Sequence, residues 1–125
     1  MQVNVSDFGK SKIFYSEMFE ILGWRKFMEE ENVISWINGD FSFWLYKTES
    51  KFKKNKFHRK NTGLNHIAFK VNSKQEVDEF LNKFLLDKKG IILYSSPKKY
   101  PEYGEKYYAV FFEDPDRIKI EVTYH

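Results

Sequence analysis

Residues 63–84 read GLNHIAFKVNSKQEVDEFLNKF and carry the clearest strand and helix pattern in the chain. Polarity alternates over residues 66–71, which is typical of a strand that buries one face. The buried side is expected to pack under a helix, so the opposite side, which carries His66, should face a space where a ligand can sit. The residues on the buried side are Ile67, Phe69 and Val71.

A helix is predicted directly after this strand. Ser73 and Glu76 have the spacing of a capping box, in which each side chain binds a backbone N–H at the helix start. Gly90 is suited to end the helix, because glycine readily adopts the left-handed conformation of a C-terminal cap. Apolar residues recur at helical intervals between these limits: Val77, Phe80, Leu81, Phe84 and Leu85.

The same order of elements occurs in the first half of the chain, which indicates an internal repeat. A strand tail, VNV, precedes a helical stretch that reaches Leu22, with Gly23 as its cap. We therefore predict an α+β fold of two tandem βαβββ modules, about 1–50 and 62–125, within one domain that spans residues 1–125. The later strands are predicted at 24–28, 33–38 and 41–47, and again at 91–95, 107–113 and 118–124.

Composition narrows the class of protein. The chain has 125 residues, of which 42% are apolar and 19% aromatic, so it can bury one sizeable core. No window is apolar enough to span a bilayer, and the first residues lack the pattern of a secretion signal, so we expect a cytoplasmic protein without membrane contact. Cysteine is absent, so a metal would need His, Asp or Glu ligands, and three histidines are present.

Basic residues concentrate in the segment 51–60, KFKKNKFHRK, although the net charge of the whole chain is only +3. Such a run is usually a solvated loop, which here would join the two modules. The alternative is a site for an anionic ligand, with Arg59 as a candidate contact. No nucleic-acid-binding module accompanies the run, so no nucleic-acid partner is expected.

Residues 63–84, together with 5–24 (VSDFGKSKIFYSEMFEILGW) and 98–122 (KKYPEYGEKYYAVFFEDPDRIKIEV), resemble the vicinal oxygen chelate superfamily of glyoxalases, bleomycin-resistance proteins and extradiol dioxygenases. The resemblance covers nearly the whole chain. It is most specific over 58–69 and 107–122, which are similar to a bacterial glyoxalase-like branch. This resemblance implies paired modules that form a curled mixed sheet around a cleft, with helices outside, and a homodimer.

The resemblance also implies a divalent metal, commonly held by a His on the first strand and a Glu on the last strand of each module. His66 and Glu121 stand at these positions in the second module, and such ligands suit Zn, Ni, Fe or Mn. In the first module, the position equivalent to His66 falls before Met1, and the position equivalent to Glu121 is Trp44. The metal site is thus incomplete in this sequence, because three protein ligands are the usual minimum.

Two functions are compatible with this pattern. One is a glyoxalase-like enzyme of unknown substrate, with metal-dependent lyase, isomerase or dioxygenase chemistry and no assigned catalytic base. The other is a metal-free protein that binds a small molecule, as bleomycin-resistance members do. A dimer without a small ligand is a third alternative. If a small molecule binds, its predicted contacts are Trp44, Arg59 and Tyr108.

Overall fold

The computed structural model describes residues 1–87 and 91–125. They form two compact units, Met1–Lys56 and Phe57–His125. Each unit has the element order βαβββ, with its four strands in one mixed sheet, so the predicted α+β fold of two such modules is confirmed. Within the described residues, no helix is long and apolar enough to cross a membrane.

In the first unit, a helix packs on the sheet through aromatic rings. Asp7 caps this helix, since its side chain accepts a hydrogen bond of 3.0 Å from the Lys10 N–H. Tyr15 stacks on Phe43 with 5.2 Å between ring centroids, and both rings are fully buried or nearly so. The strand order is β1-β4-β3-β2, with β1 parallel to β4. The elements are β1 (Gln2–Val5), α1 (Phe8–Ile21), β2 (Arg25–Glu30), β3 (Val33–Asn38) and β4 (Phe41–Lys47).

The second unit repeats this arrangement, with the strand order β5-β8-β7-β6. Ser73 Oγ accepts a hydrogen bond of 3.1 Å from the Glu76 N–H, as the capping-box spacing predicted. The predicted helix end, Gly90, lies outside the described residues. The elements are β5 (Ile67–Lys70), α2 (Lys74–Phe80), a π-helical turn (Leu81–Leu85), β6 (Ile91–Lys99), β7 (Tyr108–Glu113) and β8 (Lys119–Tyr124).

The two sheets have matching strand registers. The first strand of each unit runs parallel to the last, and the register pairs Gln2 with Trp44 and Ala68 with Glu121. Trp44 and Glu121 are therefore structurally equivalent, as the internal repeat predicted. In β5, the residues alternate between buried and exposed in the predicted phase, with Ile67 buried and Ala68 exposed.

Strand β6 contains a bulge that the sequence pattern did not predict. Tyr94 and Ser95 have φ angles of 60° and 52°, and the register with β7 shifts around them. Such left-handed backbone costs a non-glycine residue about 1–2 kcal/mol. The Ser96 hydroxyl holds the bulge, because it donates to the Leu93 carbonyl at 2.7 Å and accepts from the Phe111 N–H at 2.9 Å.

Candidate functional site

The second unit contains a pocket on the sheet face that points away from α2. Alternation along β7 and β8 places Phe111 and Glu121 on this face, while Phe112 and Ile120 are buried on the other. The cavity volume is about 720 Å³, within the range of roughly 300–1,000 Å³ that is usual for small-molecule sites. Its aromatic lining is Tyr94, Tyr100, Tyr103, Tyr107 and Phe111, and its polar lining is Asn65, His66, Lys98, Lys119 and Glu121.

Phe111 is the centre of the aromatic wall. Its ring centroid lies 5.3 Å from that of Tyr100 and 5.5 Å from that of Tyr94, and both pairs are edge to face. Tyr100 stacks on Tyr103 at 5.8 Å, and Tyr103 meets Tyr107 at 5.4 Å. The rings therefore form a continuous apolar band along one side of the pocket.

A hydrogen-bonded network surrounds Glu121, which is only 2% exposed. The Tyr107 hydroxyl donates to Glu121 Oε1 at 2.7 Å, and His66 Nε2 lies 3.2 Å from Glu121 Oε2. The other ring nitrogen of His66, Nδ1, lies 2.9 Å from Asn65 Oδ1. Burial, reinforced by the hydrogen bond to Glu121, raises the pKa of Tyr107, so its phenol remains a donor. Both carboxylate oxygens of Glu121 thus have partners, as a buried charge requires.

Comparison with known proteins agrees with this fold. A family model described as the glyoxalase/bleomycin resistance protein/dioxygenase superfamily matches residues 1–122. The chain belongs to this superfamily. The vicinal oxygen chelate resemblance in the sequence is therefore confirmed.

Several known proteins are similar to this chain. The uncharacterized protein YqjT of Bacillus subtilis (strain 168) is 35% identical over 124 residues, which cover 98% of this chain and 94% of YqjT. The crystal structure of a glyoxalase candidate from Bacillus halodurans has a TM-score of 0.91 and 34% identity, covering 100% of this chain and 92% of its own. The fosfomycin resistance protein FosX of Listeria monocytogenes shares the fold, with a TM-score of 0.70 and 18% identity, covering 100% of this chain and 89% of its own.

Superfamily members often use a divalent metal, and the candidate ligands in this chain are His66 and Glu121. His66 and Glu121 approach each other as two ligands of one ion would. Within residues 1–87 and 91–125, however, no group of three or more His, Asp or Glu side chains could hold a metal. The Tyr107 hydroxyl donates to Glu121 Oε1 and so acts as a hydrogen-bond donor in this arrangement. The described residues do not fit a complete metal centre, and the assignment of His66 and Glu121 as metal ligands stays a prediction.

Tyr108, one of the predicted ligand contacts, lies on the helix side of the sheet. Its hydroxyl donates to Asp78 Oδ1 at 2.7 Å, and Lys74 Nζ lies 4.7 Å from its ring centroid. Its neighbour Tyr107 lines the pocket instead. Alternation separates the two tyrosines, but only the register that pairs Phe111 with Glu121 shows which of them shares a face with the carboxylate.

Tyr108 also provides a test of this placement at alkaline pH. Burial, with the hydrogen bond to Asp78, raises the pKa of Tyr108 to about 12. Because the folded state binds this proton more tightly than the unfolded state, the free energy of unfolding should fall as pH rises from about 10 to 12. We expect Tyr108→Phe to flatten this fall in urea titrations at several pH values. An unchanged slope would show that the Tyr108 phenol titrates normally.

The other two predicted contacts, Arg59 and Trp44, already have partners in the structure. The Arg59 guanidinium forms an ion pair with Glu113, whose side chain is only 4% exposed. Trp44 belongs to the first unit, where its Nε1 donates to Ser42 Oγ at 3.1 Å and its ring stacks on Tyr46. Their roles in ligand binding stay predictions.

Proposed function

We propose that this superfamily member is a small-molecule-binding protein that holds an aromatic ligand in the pocket of its second unit without requiring a metal. The observation that carries the proposal is the band of rings around Phe111. Each aromatic pair contributes about 0.5–1.5 kcal/mol beyond the free energy of burying its apolar area. A planar aromatic ligand that contacts several of these rings would therefore gain binding free energy from each contact. The cavity of about 720 Å³ is large enough for such a ligand.

Metal independence is supported by the contacts of Glu121. One oxygen accepts the Tyr107 hydroxyl at 2.7 Å, and the other lies 3.2 Å from the His66 ring. A metal at this carboxylate would have to replace these contacts, and the described residues supply no third His or carboxylate beside the pair. We therefore infer that His66 and Glu121 line the pocket as a hydrogen-bonded polar pair beside the aromatic wall, without a metal.

Metal-dependent glyoxalase-like chemistry is the second candidate, and it is favoured by the same close approach of His66 to Glu121. It requires at least one ligand beyond this pair. A divalent ion bound there would act as a Lewis acid on substrate oxygens. This candidate predicts stoichiometric Zn²⁺ or Ni²⁺ binding in calorimetry and its loss in His66→Ala.

Calorimetric titration with naphthamide and naphthoate, with and without EDTA, tests the leading proposal. We expect at least one probe to bind equally well in both conditions. We also expect Tyr94→Gly to weaken that binding about two- to tenfold, the equivalent of roughly 0.5–1.5 kcal/mol for one aromatic contact. Glycine suits position 94, because its φ of 60° is left-handed and the Tyr94 side chain is half exposed, so the variant should fold at least as well as the wild type.

Phe41→Ala is the matched control, since Phe41 is 74% exposed and does not line the pocket. It should leave probe binding unchanged. Binding that disappears in EDTA would instead support the metal-dependent candidate. Equal binding by the wild type and Tyr94→Gly would place the ligand elsewhere and refute the proposed site.

A further inference from the structure

Lys119 carries a positive charge into the aromatic wall of the pocket. Its Nζ lies 5.6 Å from the ring centroid of Phe111 and 5.7 Å from that of Tyr94. The residue is half-buried, and it forms no ion pair with a carboxylate in the part of the chain that the structure describes. Cation–π contacts hold the ammonium in place but leave its charge uncompensated.

The carboxylates near Lys119 are already occupied. Glu113 is the register partner of Lys119 on β7, but its Oε1 is paired with Arg59 and its Oε2 lies 3.5 Å from Arg117. The pocket carboxylate, Glu121, is engaged by Tyr107 and His66. Two arginines, Arg59 and Arg117, therefore share Glu113, and neither Glu113 nor Glu121 forms an ion pair with Lys119.

A second lysine adds to the positive charge of the lining. Lys98 is exposed and its Nζ lies 5.3 Å from the ring centroid of Tyr100. It also has no carboxylate partner among residues 1–87 and 91–125. Of the two, Lys119 is closer to the centre of the aromatic wall, because it alone contacts Phe111.

We propose that the ligand is a planar aromatic anion, such as an aryl carboxylate, with its ring against Phe111 and Tyr94 and its anionic group on the Lys119 ammonium. This inference rests on the proposed function and names the ligand class of the same pocket. An anionic group would neutralise the positive charge of Lys119. A hydrogen bond between charged groups is also stronger than one between neutral groups. A cationic ligand would meet unbalanced like charge at this end of the pocket.

Naphthoate and naphthamide separate charge from shape, because they share the same rings and a planar polar group of similar size, while only naphthoate carries a negative charge. We expect the wild type to bind naphthoate about tenfold more tightly than naphthamide, as a charge-assisted contact predicts. Lys119→Met should remove this difference by weakening naphthoate alone, since methionine retains an apolar side chain against the rings. Naphthoate affinity should also fall with rising salt, whereas naphthamide affinity should not.

Lys74→Met is the matched control. Lys74 also lies over a tyrosine ring, Tyr108, at 4.7 Å, but it is not part of the pocket lining. It should leave the preference for naphthoate unchanged. Equal affinities for the two probes in the wild type would overturn the anion inference while leaving the binding function intact. Binding of neither probe would reject both proposals.

Discussion

The Phe112→Ala substitution is expected to lower the free energy of unfolding by about 3–5 kcal/mol, as truncation of a buried phenylalanine usually does. Phe112 is fully buried under the helix of the second unit. Its ring centroid lies 5.4 Å from that of Phe80 and 6.3 Å from that of Phe84. Removal of the ring leaves a cavity that these two rings can only partly fill. Urea denaturation followed by circular dichroism measures the loss.

Phe112→Leu is the control for this prediction. It retains most of the side-chain volume, so we expect a loss of no more than about 1.5 kcal/mol. Phe112 lies on the opposite side of β7 from the pocket, so probe binding by folded Phe112→Leu should match the wild type. A loss below about 1 kcal/mol in Phe112→Ala would contradict the packing of α2 on this strand.

Arg59→Met is expected to destabilise the second unit by about 1–3 kcal/mol, the usual effect of removing the partner of a buried polar group. Arg59 pairs with Glu113, and the two side chains are 17% and 4% exposed. Without the guanidinium, the buried carboxylate keeps one ion-pair partner among residues 1–87 and 91–125, which is Arg117 at 3.5 Å. The same urea titrations would measure this effect.

Arg117→Met provides the comparison, because Arg117 contacts the same carboxylate but its side chain is 60% exposed. Its loss should cost at most about 1 kcal/mol, as for other surface ion pairs. Equal effects of the two substitutions would show that Arg59 does not hold Glu113. A fall in naphthoate affinity in folded Arg59→Met would support the sequence-based assignment of Arg59 as a ligand contact.

The family resemblance implied a homodimer, and the composition indicated a cytoplasmic protein. Both stay predictions. Light scattering on the purified chain would determine the first, and the metal titration described above would determine whether His66 and Glu121 bind an ion.

Local patterns in the sequence were sufficient to predict the fold. Alternation over residues 66–71, the capping box at Ser73 and the repeated element order each depend on neighbouring residues, whose geometry is set by the periods of strands and helices. The same alternation placed His66 on the ligand-facing side of its strand, whereas Glu121 was proposed from the family resemblance. The equivalence of Trp44 and Glu121 followed from the repeat and agrees with the strand register.

The lining of the pocket depends on contacts that local sequence patterns do not specify. The register between β7 and β8 determines that Tyr107, and not Tyr108, faces the pocket. A polarity pattern cannot predict this register, because β7 is buried on both faces. The bulge at Tyr94 and the free charge of Lys119 depend on contacts between residues far apart in the chain. Local sequence patterns therefore predicted the elements and their faces, whereas long-range packing sets which side chains meet in the pocket.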